Sequence, residues 1–177
     1  LEEFGENIPG RTLQMSCCYG NLTSRLAERS AKSGGVLNVI DILPIQLENL
    51  RRKIPQGIHA NLRVMDASAL NFPDANFDRV LVFFLFHEEP QDYRERTMSE
   101  ALRVLKPGGK IIVMDYGRPI SWHPVWIFIR LFLAKLEPFA VELWHTALID
   151  VIPAQMAGRV WQKTSYFAGL YQKLVST

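Results

Sequence analysis

Short apolar runs alternate with more polar, amphipathic stretches through most of this chain. The apolar runs have the length and residue types of strands that are buried on both faces of a parallel sheet. The stretches between them predict helices. Strands are expected within residues 12–20, 36–40, 62–65, 77–84 and 110–114, and helices over residues 21–31, 44–53 and 92–105.

Glycine and proline mark the ends of these elements. Ser33-Gly34-Gly35 ends the first helix, and Lys106-Pro107-Gly108-Gly109 ends the third. Residues 161–175 predict two closing strands that meet at Phe167-Ala168-Gly169. Because strands and helices alternate, the pattern predicts an α/β fold with a doubly wound, mostly parallel sheet and right-handed crossovers.

Composition favours one globular domain that covers residues 1–177. Hydrophobic residues make up 48% of the chain and charged residues 21%, which excludes a disordered polar protein. A net charge of +2 without a basic stripe argues against a nucleic-acid partner. The adjacent Cys17 and Cys18 favour a reducing compartment, because neighbouring cysteines pair only with severe strain. We expect no signal peptide, and the start at Leu1 leaves room for preceding residues.

Candidate chemistry collects where the predicted strands end. In doubly wound sheets, ligands bind at the carboxyl ends of the strands. Those ends carry the small-residue turn at 16–20, the acidic loop at 87–89, and Asp41, Asp66 and Asp115. A strand, a tight turn and a helix start bring backbone N–H groups against a nucleotide-like ligand. Each aspartate alone is equally well explained as a helix cap, but three beside such a turn favour a binding site.

From Thr12 to Met114 the chain resembles the class I S-adenosylmethionine-dependent methyltransferases, which have a Rossmann-like sheet ending in an antiparallel hairpin. The resemblance is carried by the loop after the first strand, Asp41-Ile42-Leu43-Pro44, Asp66-Ala67, Phe77-Asp78-Arg79-Val80 and 103–109. It implies that Asp41 binds the ribose hydroxyls and that Asp66 reads the adenine amine, both suited to a carboxylate acceptor. The cofactor-binding residues expected on this basis are Gln14, Ser16, Cys17, Gly20, Asp41, Ile42, Asp66, Ala67 and Phe83.

The first loop departs from the pattern of that family. The family usually has an acidic residue followed by Gly-x-Gly-x-Gly, whereas this chain has Gln14, Ser16, Cys18 and Gly20. Two glycines that let the backbone approach a ligand have therefore gained side chains. Either the loop has lost its ligand, or it holds the ligand differently for a reaction other than methyl donation.

A narrower resemblance favours the second interpretation. Residues 14–20, 86–90 and 114–119 resemble the rhodoquinone biosynthesis enzymes of the RquA family, which are related to the ubiquinone C-methyltransferases. The resemblance implies that a methoxy group of ubiquinone is replaced by an amino group. It further implies that S-adenosylmethionine supplies the nitrogen and that Mn(II) is required. A neutral Gln14 would help to keep the attacking amine unprotonated, although an isosteric replacement without function explains it equally well.

The catalytic candidates are Tyr19, His87 and Asp115, and the candidate metal ligands are His87, Glu88 and Asp115. Tyr19 serves equally well as a packing residue over the adenosine. Related methyltransferases carry a histidine at the position of His87 without a metal, and Glu88 and Glu89 can be solvated loop acids. Glu142 and His145 form a second possible pair on a helix.

The segment 125–134 is strongly apolar but too short to span a bilayer, which takes about 20 apolar residues. One interpretation of residues 120–147 is a cap with an interfacial helix, with Trp122, Trp126 and Trp144 near lipid headgroups and Arg118, Arg130 and Lys135 meeting anionic lipid. A buried helix or a dimer face is the alternative, and a homo-oligomer fits the latter. The expected substrate, ubiquinone, agrees with a peripheral location on the cytoplasmic side of a bacterial inner membrane or its mitochondrial matrix equivalent.

Three functions follow in order of preference. The first is the amination of a quinone, and the second is ordinary methylation of a quinone or similar aromatic. The third is a non-catalytic methyltransferase-like subunit that binds lipid or a partner enzyme, which the retained Asp41 and Asp66 argue against.

Overall fold

The computed structural model describes residues 1–17, 20–120, 135, 138–144, 148–153 and 159–177. Within these residues seven strands form one sheet in the order β3-β2-β1-β4-β5-β7-β6. The strands are β1 Arg11–Met15, β2 Val36–Asp41, β3 Asn61–Val64, β4 Phe77–Phe83, β5 Leu105–Tyr116, β6 Trp161–Tyr166 and β7 Tyr171–Ser176. The α-helices are α1 Leu22–Lys32, α2 Pro44–Lys53, α3 Gln91–Val104 and α4 Pro138–Leu143, and 3-10 turns cover Glu2–Phe4, Phe86–Glu88 and Leu148–Val151.

The first five strands are parallel, whereas β7 runs antiparallel to both β5 and β6. Strand order reverses at β1, which lies between β2 and β4. This is the switch point at which doubly wound sheets bind ligands. The predicted α/β fold, with a mostly parallel sheet and a C-terminal antiparallel hairpin, is confirmed.

The sheet has an apolar core on each face. Successive residues of a strand point to opposite faces, so Val80 and Val82 enter one core while Leu81 enters the other. On the first face α3 contributes Met98, and on the second α1 contributes Leu26. Covering both faces makes the central strands continuously apolar, which is why their positions were recognisable from the sequence.

Strand β5 begins earlier than predicted. We expected it to start at Lys110, after a loop, but it starts at Leu105, directly behind α3. Its pairing with β4 is irregular between Phe77 and Arg79, so the Pro-Gly-Gly residues lie in a bulge of the strand. At Gly109 a Cβ atom would lie 2.9 Å from the Lys106 carbonyl oxygen and 3.0 Å from that of Asp78. The sequence signal was that of a close backbone approach rather than of a loop.

The predicted membrane-facing segment 125–134 lies outside the described residues, together with Trp122, Trp126 and His145. Trp144 is described, and its predicted place at a lipid surface is wrong. Its side chain is buried and packs in one cluster with Ala140, Val141 and Tyr116. Among the described helices, none combines the length and the apolar character needed to cross a bilayer.

Candidate functional site

A cavity of about 430 Å³ opens at the carboxyl edge of the sheet, over the switch point. Segments that follow β1, β2, β3 and β4, together with the last residue of β5, form its walls. Its lining residues are 16–17, 40–43, 46, 65–67, 84–85, 87–90, 93 and 116. Six of the nine predicted cofactor-binding residues are among them: Ser16, Cys17, Asp41, Ile42, Asp66 and Ala67.

Asp41, the last residue of β2, connects the loops that follow β1 and β2. Its Oδ2 accepts hydrogen bonds from the Cys17 backbone N–H at 2.9 Å and from the Cys17 thiol at 3.4 Å. Its Oδ1 accepts the Leu43 N–H at 2.9 Å. A carboxylate has about four acceptor sites, so Asp41 can hold these loops and still accept a ligand hydroxyl. Asp41 thus fixes these loops without capping α2, whose N-cap residue is Leu43.

Ser16 gives the first loop its shape. Its φ of 68° lies in the left-handed region, although it carries a side chain. The backbone is fixed there by a hydrogen bond from the Ser16 N–H to the Ile40 carbonyl at 2.9 Å. Ser16 thus holds a left-handed turn of the kind that glycine adopts most easily.

Asp66 lies two residues beyond the end of β3, the neighbour of β2 in the sheet, and also lines the cavity. Its Oδ1 accepts both the N–H and the hydroxyl of Ser68, each at 2.8 Å. This Asx-type turn fixes the carboxylate at the rim, where it remains exposed to solvent. Asp41 and Asp66 consequently face one cavity from two neighbouring strands, as the sequence predicted.

The other predicted cofactor-binding residues lie outside the lining. Gln14 is fully buried, and its amide donates to the Ser16 carbonyl at 3.0 Å and to the Thr23 hydroxyl at 2.9 Å. Phe83 belongs to the core beneath the cavity. Gly20 has a φ of 108° and an open surface around it. Gln14 therefore supports the loop from below, and the predicted catalytic Tyr19 lies outside the described residues.

His87 and Asp115 form a buried pair behind the cavity wall. The Asp115 Oδ1 lies 2.9 Å from the His87 Nδ1 and also accepts the Tyr116 N–H at 2.7 Å. Its Oδ2 accepts the N–H groups of Leu85 and Phe86 at 2.9 and 2.8 Å. With the Asp115 carboxylate as the acceptor, the His87 Nδ1 carries the hydrogen of this contact.

This geometry bears on the predicted metal ligands His87, Glu88 and Asp115. In the described part of the chain, no group of three His, Cys, Asp or Glu side chains is arranged to hold a metal ion. Asp115 is fully buried, and its two oxygens already accept four hydrogen bonds. His87 Nε2 and Glu88 Oε1 are 3.9 Å apart, which leaves only two donors. As a set, these residues do not fit Mn(II).

Glu89 is a site residue whose importance the sequence analysis missed. We considered it a solvated acid, but its side chain lines the cavity and is largely buried. Its Oε1 accepts the Thr97 hydroxyl at 2.9 Å, and its Oε2 is buried without a hydrogen-bond partner among the described residues. Burial, together with the nearby Asp66 and Asp115, raises the pKa of Glu89 to about 7. In the sequence, the adjacent acids Glu88 and Glu89 had suggested an exposed loop.

Arg94 fixes the segment that carries Glu89. Its fully buried guanidinium donates from Nε to the Phe86 carbonyl at 2.8 Å and from Nη2 to the Phe139 carbonyl at 2.7 Å. Its Nη1 lies 3.7 Å from Glu142, the residue for which we had considered His145 as the partner. Helix α4 is thereby attached to the 3-10 turn beneath the cavity.

Comparison with known families identifies the class of fold and its relatives. A family model described as "Methyltransferase domain" matches residues 13–113. The demethylmenaquinone methyltransferase of Thermus thermophilus is 36% identical over 76% of this chain and 59% of its own length. The ubiquinone/menaquinone biosynthesis C-methyltransferase UbiE of Bordetella avium is 37% identical over 62% of this chain and 43% of its own length. The chain thus spans about half the length of these curated relatives.

Solved structures agree in fold. A SAM-dependent methyltransferase from Methanosarcina mazei superposes with a TM-score of 0.60 at 20% identity, covering 94% of this chain and 91% of that one. The N-methyltransferase NodS of Bradyrhizobium japonicum gives a TM-score of 0.65 at 15% identity, with coverages of 94% and 84%. At this level of identity the likeness concerns the architecture alone.

Proposed function

Because the chain belongs to the methyltransferase domain family, we propose that it binds S-adenosylmethionine in this cavity and transfers a group from it to the ring of a quinone. The observation that carries the proposal is that Asp41 and Asp66 line one cavity at the sheet's switch point. Two carboxylates there suit the hydroxyls and the exocyclic amine of a nucleoside. The cavity volume of about 430 Å³ is within the range of small-molecule sites.

The quinone is supported by the relatives. Both curated relatives are named as methyltransferases of menaquinone or ubiquinone biosynthesis. The wall formed by Phe84 and Tyr116 is aromatic and suits a planar ring. A polyprenyl quinone resides in the bilayer, so we further propose that the protein works as a peripheral protein at the surface of the membrane that contains this substrate.

Within this function we propose that an amino group replaces a methoxy group. The first loop supports this choice. Its sequence departs from the family pattern, yet specific hydrogen bonds still hold its backbone in place. Ser16 holds a glycine-type turn, and Cys17 gives its N–H and thiol to Asp41 instead of leaving open backbone. The resemblance of the same loop to the rhodoquinone biosynthesis enzymes points in the same direction. When bound, S-adenosylmethionine would supply the nitrogen. That nitrogen would form a bond to the ring carbon, the methoxy group would leave as methanol, and the bond between the nitrogen and the α-carbon of the donor would break.

The residues of the chain have separable tasks. Asp115 orients the His87 ring, which lines the cavity, and we assign to this imidazole the transfer of a proton there. Gln14 holds the first loop through the Ser16 carbonyl, so its effect on a ligand is indirect. Manganese was expected from the resemblance, but the donor set does not fit it, and we assign no step to a metal.

Ordinary C-methylation of a quinone ring is the second candidate. It is favoured by the printed activities of the relatives, which are methyltransferases. The same Asp41, Asp66 and His87 would serve, because methylation of a ring carbon also needs a bound nucleoside and an acceptor for the displaced proton.

Doubly labelled S-adenosylmethionine distinguishes the two reactions if each is given a quinone that can undergo it. The protein is incubated with S-adenosylmethionine that carries ¹⁵N in its amino group and ¹³C in its methyl group, and with either of two quinones. Ubiquinone has methoxy groups but no ring hydrogen, whereas reduced demethylmenaquinone, the substrate in the name of one relative, keeps a ring hydrogen. Amination predicts a lighter product from ubiquinone that contains ¹⁵N and no ¹³C, whereas methylation predicts a heavier product from demethylmenaquinone that contains ¹³C. The absence of both labels from both quinones, with and without added Mn(II), would overturn both reactions and favour a non-catalytic subunit.

A further inference from the structure

Four aromatic side chains form a continuous line that leads out of the cavity. We define this aromatic row as Phe84, Tyr116, Tyr171 and Phe167. Neighbouring ring centroids are 5.7 Å apart between Phe84 and Tyr116, 5.8 Å between Tyr116 and Tyr171, and 5.7 Å between Tyr171 and Phe167. Phe84 and Tyr116 line the cavity, whereas Phe167 lies at the tip of the hairpin between β6 and β7.

The pairing of the strands produces this line. Tyr116 ends β5 and is the register partner of Tyr171, which begins β7. Directly opposed residues of antiparallel strands project to the same face, and these two rings stack with their planes 25° apart. Phe84, from the end of β4, contacts both of them, with a centroid distance of 5.6 Å to Tyr171.

Both ends of the aromatic row are built on strained backbone. Phe84 and Phe167 each have a φ of 49°, in the left-handed region that disfavours bulky side chains. Hydrogen bonds hold the backbone at both places: the Phe84 N–H donates to the Met114 carbonyl at 2.8 Å, and in the hairpin turn the Leu170 N–H donates to the Phe167 carbonyl at 3.2 Å. Strained backbone of this kind persists where the surrounding structure determines it, and it is concentrated at ligand sites.

The outer end of the aromatic row is also exposed. Phe167 keeps 74% of its surface accessible to solvent. A hairpin turn with positive φ normally contains glycine or asparagine. In this turn Gly169 takes one such position, but Phe167 takes another and holds a large apolar ring out in water at the end of an aromatic line that starts in the cavity.

We propose that the aromatic row binds the isoprenoid tail of the quinone whose ring occupies the cavity. This inference rests on the proposed function. If the quinone ring occupies the cavity, its long tail has to extend out of the cavity. The aromatic row provides an apolar path for the tail, because it begins at Phe84 and Tyr116 of the cavity wall. None of the four side chains of the row carries a formal charge at neutral pH, which suits a hydrocarbon better than a headgroup or an acidic peptide.

The test compares a quinone without a tail and a quinone with several isoprene units, both measured by equilibrium binding and by kcat/KM. Phe167→Ala is expected to weaken binding of the tailed quinone by about five- to tenfold, because part of the apolar contact is lost, and to leave the tail-less quinone unchanged. Phe167→Gly should lose the same tail preference while unfolding no more readily than the wild type, because glycine relieves the strained turn. Val160→Ala, at an exposed apolar site beside the opposite end of β6, is the matched control and should change neither quinone.

Two results would overturn the inference. One is an equal loss for both quinones in Phe167→Ala, which would indicate a damaged site. The other is unchanged binding of the tailed quinone in Phe167→Ala. That result would mean that the aromatic row serves packing, or contact with a second copy of the chain, and does not bind the tail. If the wild-type protein binds and converts the tail-less quinone in either case, the proposed function stands and only the tail site fails. If the wild type binds neither quinone, the proposed function fails first.

Discussion

At the scale of single residues, Ser16 has a backbone conformation that glycine adopts more easily than serine. Its φ of 68° suits glycine and disfavours β-branched side chains most strongly. We expect Ser16→Val to lower the free energy of unfolding by roughly 1–2 kcal/mol, and Ser16→Gly to leave it unchanged or raise it by up to about 1 kcal/mol. Urea unfolding of the three proteins checks this order. A valine variant as stable as the wild type would show that the turn is not under strain.

Glu89 gives stability a pH dependence of known sign. Burial is the main cause that raises its pKa from 4.5 to about 7, so the folded protein holds a proton that the unfolded chain releases. The stability from this proton is complete below pH 4.5 and is lost as the pH rises through 7. In Glu89→Gln the side chain cannot ionise, and this loss is absent.

The measurement is the difference in unfolding free energy between the wild type and Glu89→Gln, taken from pH 5 to pH 8.5. Across this range the wild type should lose on the order of 3 kcal/mol of unfolding free energy relative to Glu89→Gln. Other carboxyl groups titrate equally in both proteins and cancel. A constant difference would mean that Glu89 has the pKa of an exposed acid.

The positions of Asp41 and Asp66 were predictable because each comes directly after a short, mainly apolar run. Such a run predicts a strand, and the acid at its end is then expected at the carboxyl edge of the sheet. The role of Glu89 was not predictable. Its burial depends on Thr97, which lies in the following helix α3, and on the conformation of the turn before that helix. Neither can be recognised from the residues next to Glu89 in the sequence. Gln14 was misplaced for a related reason, since alternation along β1 does not say which buried residues reach a cavity.

At the scale of secondary-structure elements, Asp115 connects the ends of β4 and β5 by accepting four hydrogen bonds. In Asp115→Asn one acceptor oxygen becomes a donor NH₂ group, and buried donors then face it. We expect a loss of roughly 2–4 kcal/mol and, at about 2–4 °C per kcal/mol for a chain of this size, a clearly lower Tm.

Thermal unfolding tests this expectation, with Asp92→Asn as its control. Asp92 lies on exposed α3 surface and pairs with Arg96, so its replacement should change stability by less than about 0.5 kcal/mol. Similar Tm values for both variants would mean that Asp115 contributes no more than a surface acid.

Element boundaries could be predicted where local chemistry determines them. Helix α2 begins at Pro44 and ends at Lys53, as expected, because proline at the first helical position is a strong start signal. The start of β5 could not be predicted in the same way. Its first residues pair with Phe77 through a bulge, and the pairing partner, not the Pro-Gly-Gly sequence, determines that they belong to the strand.

At the scale of the whole molecule, the doubly wound and mostly parallel sheet could be predicted from the alternation of strands and helices. The aromatic row did not, because it joins β4, β5 and β7 through contacts between residues distant in sequence. Trp144 shows the same limit: an apolar segment with tryptophans suggested a lipid surface, yet this indole is buried beside Tyr116. Period and composition indicate which residues are apolar, but not which neighbour covers them.

The account depends most directly on whether the cavity between Asp41 and Asp66 binds S-adenosylmethionine. Isothermal titration of the wild type should show one site. Asp41→Asn and Asp66→Asn, with folding checked by circular dichroism, should each weaken it by about ten- to a hundredfold, since each removes a charged acceptor. The exposed Asp92→Asn should bind like the wild type. A wild type without affinity for S-adenosylmethionine, or equal affinity in all four proteins, would contradict the account.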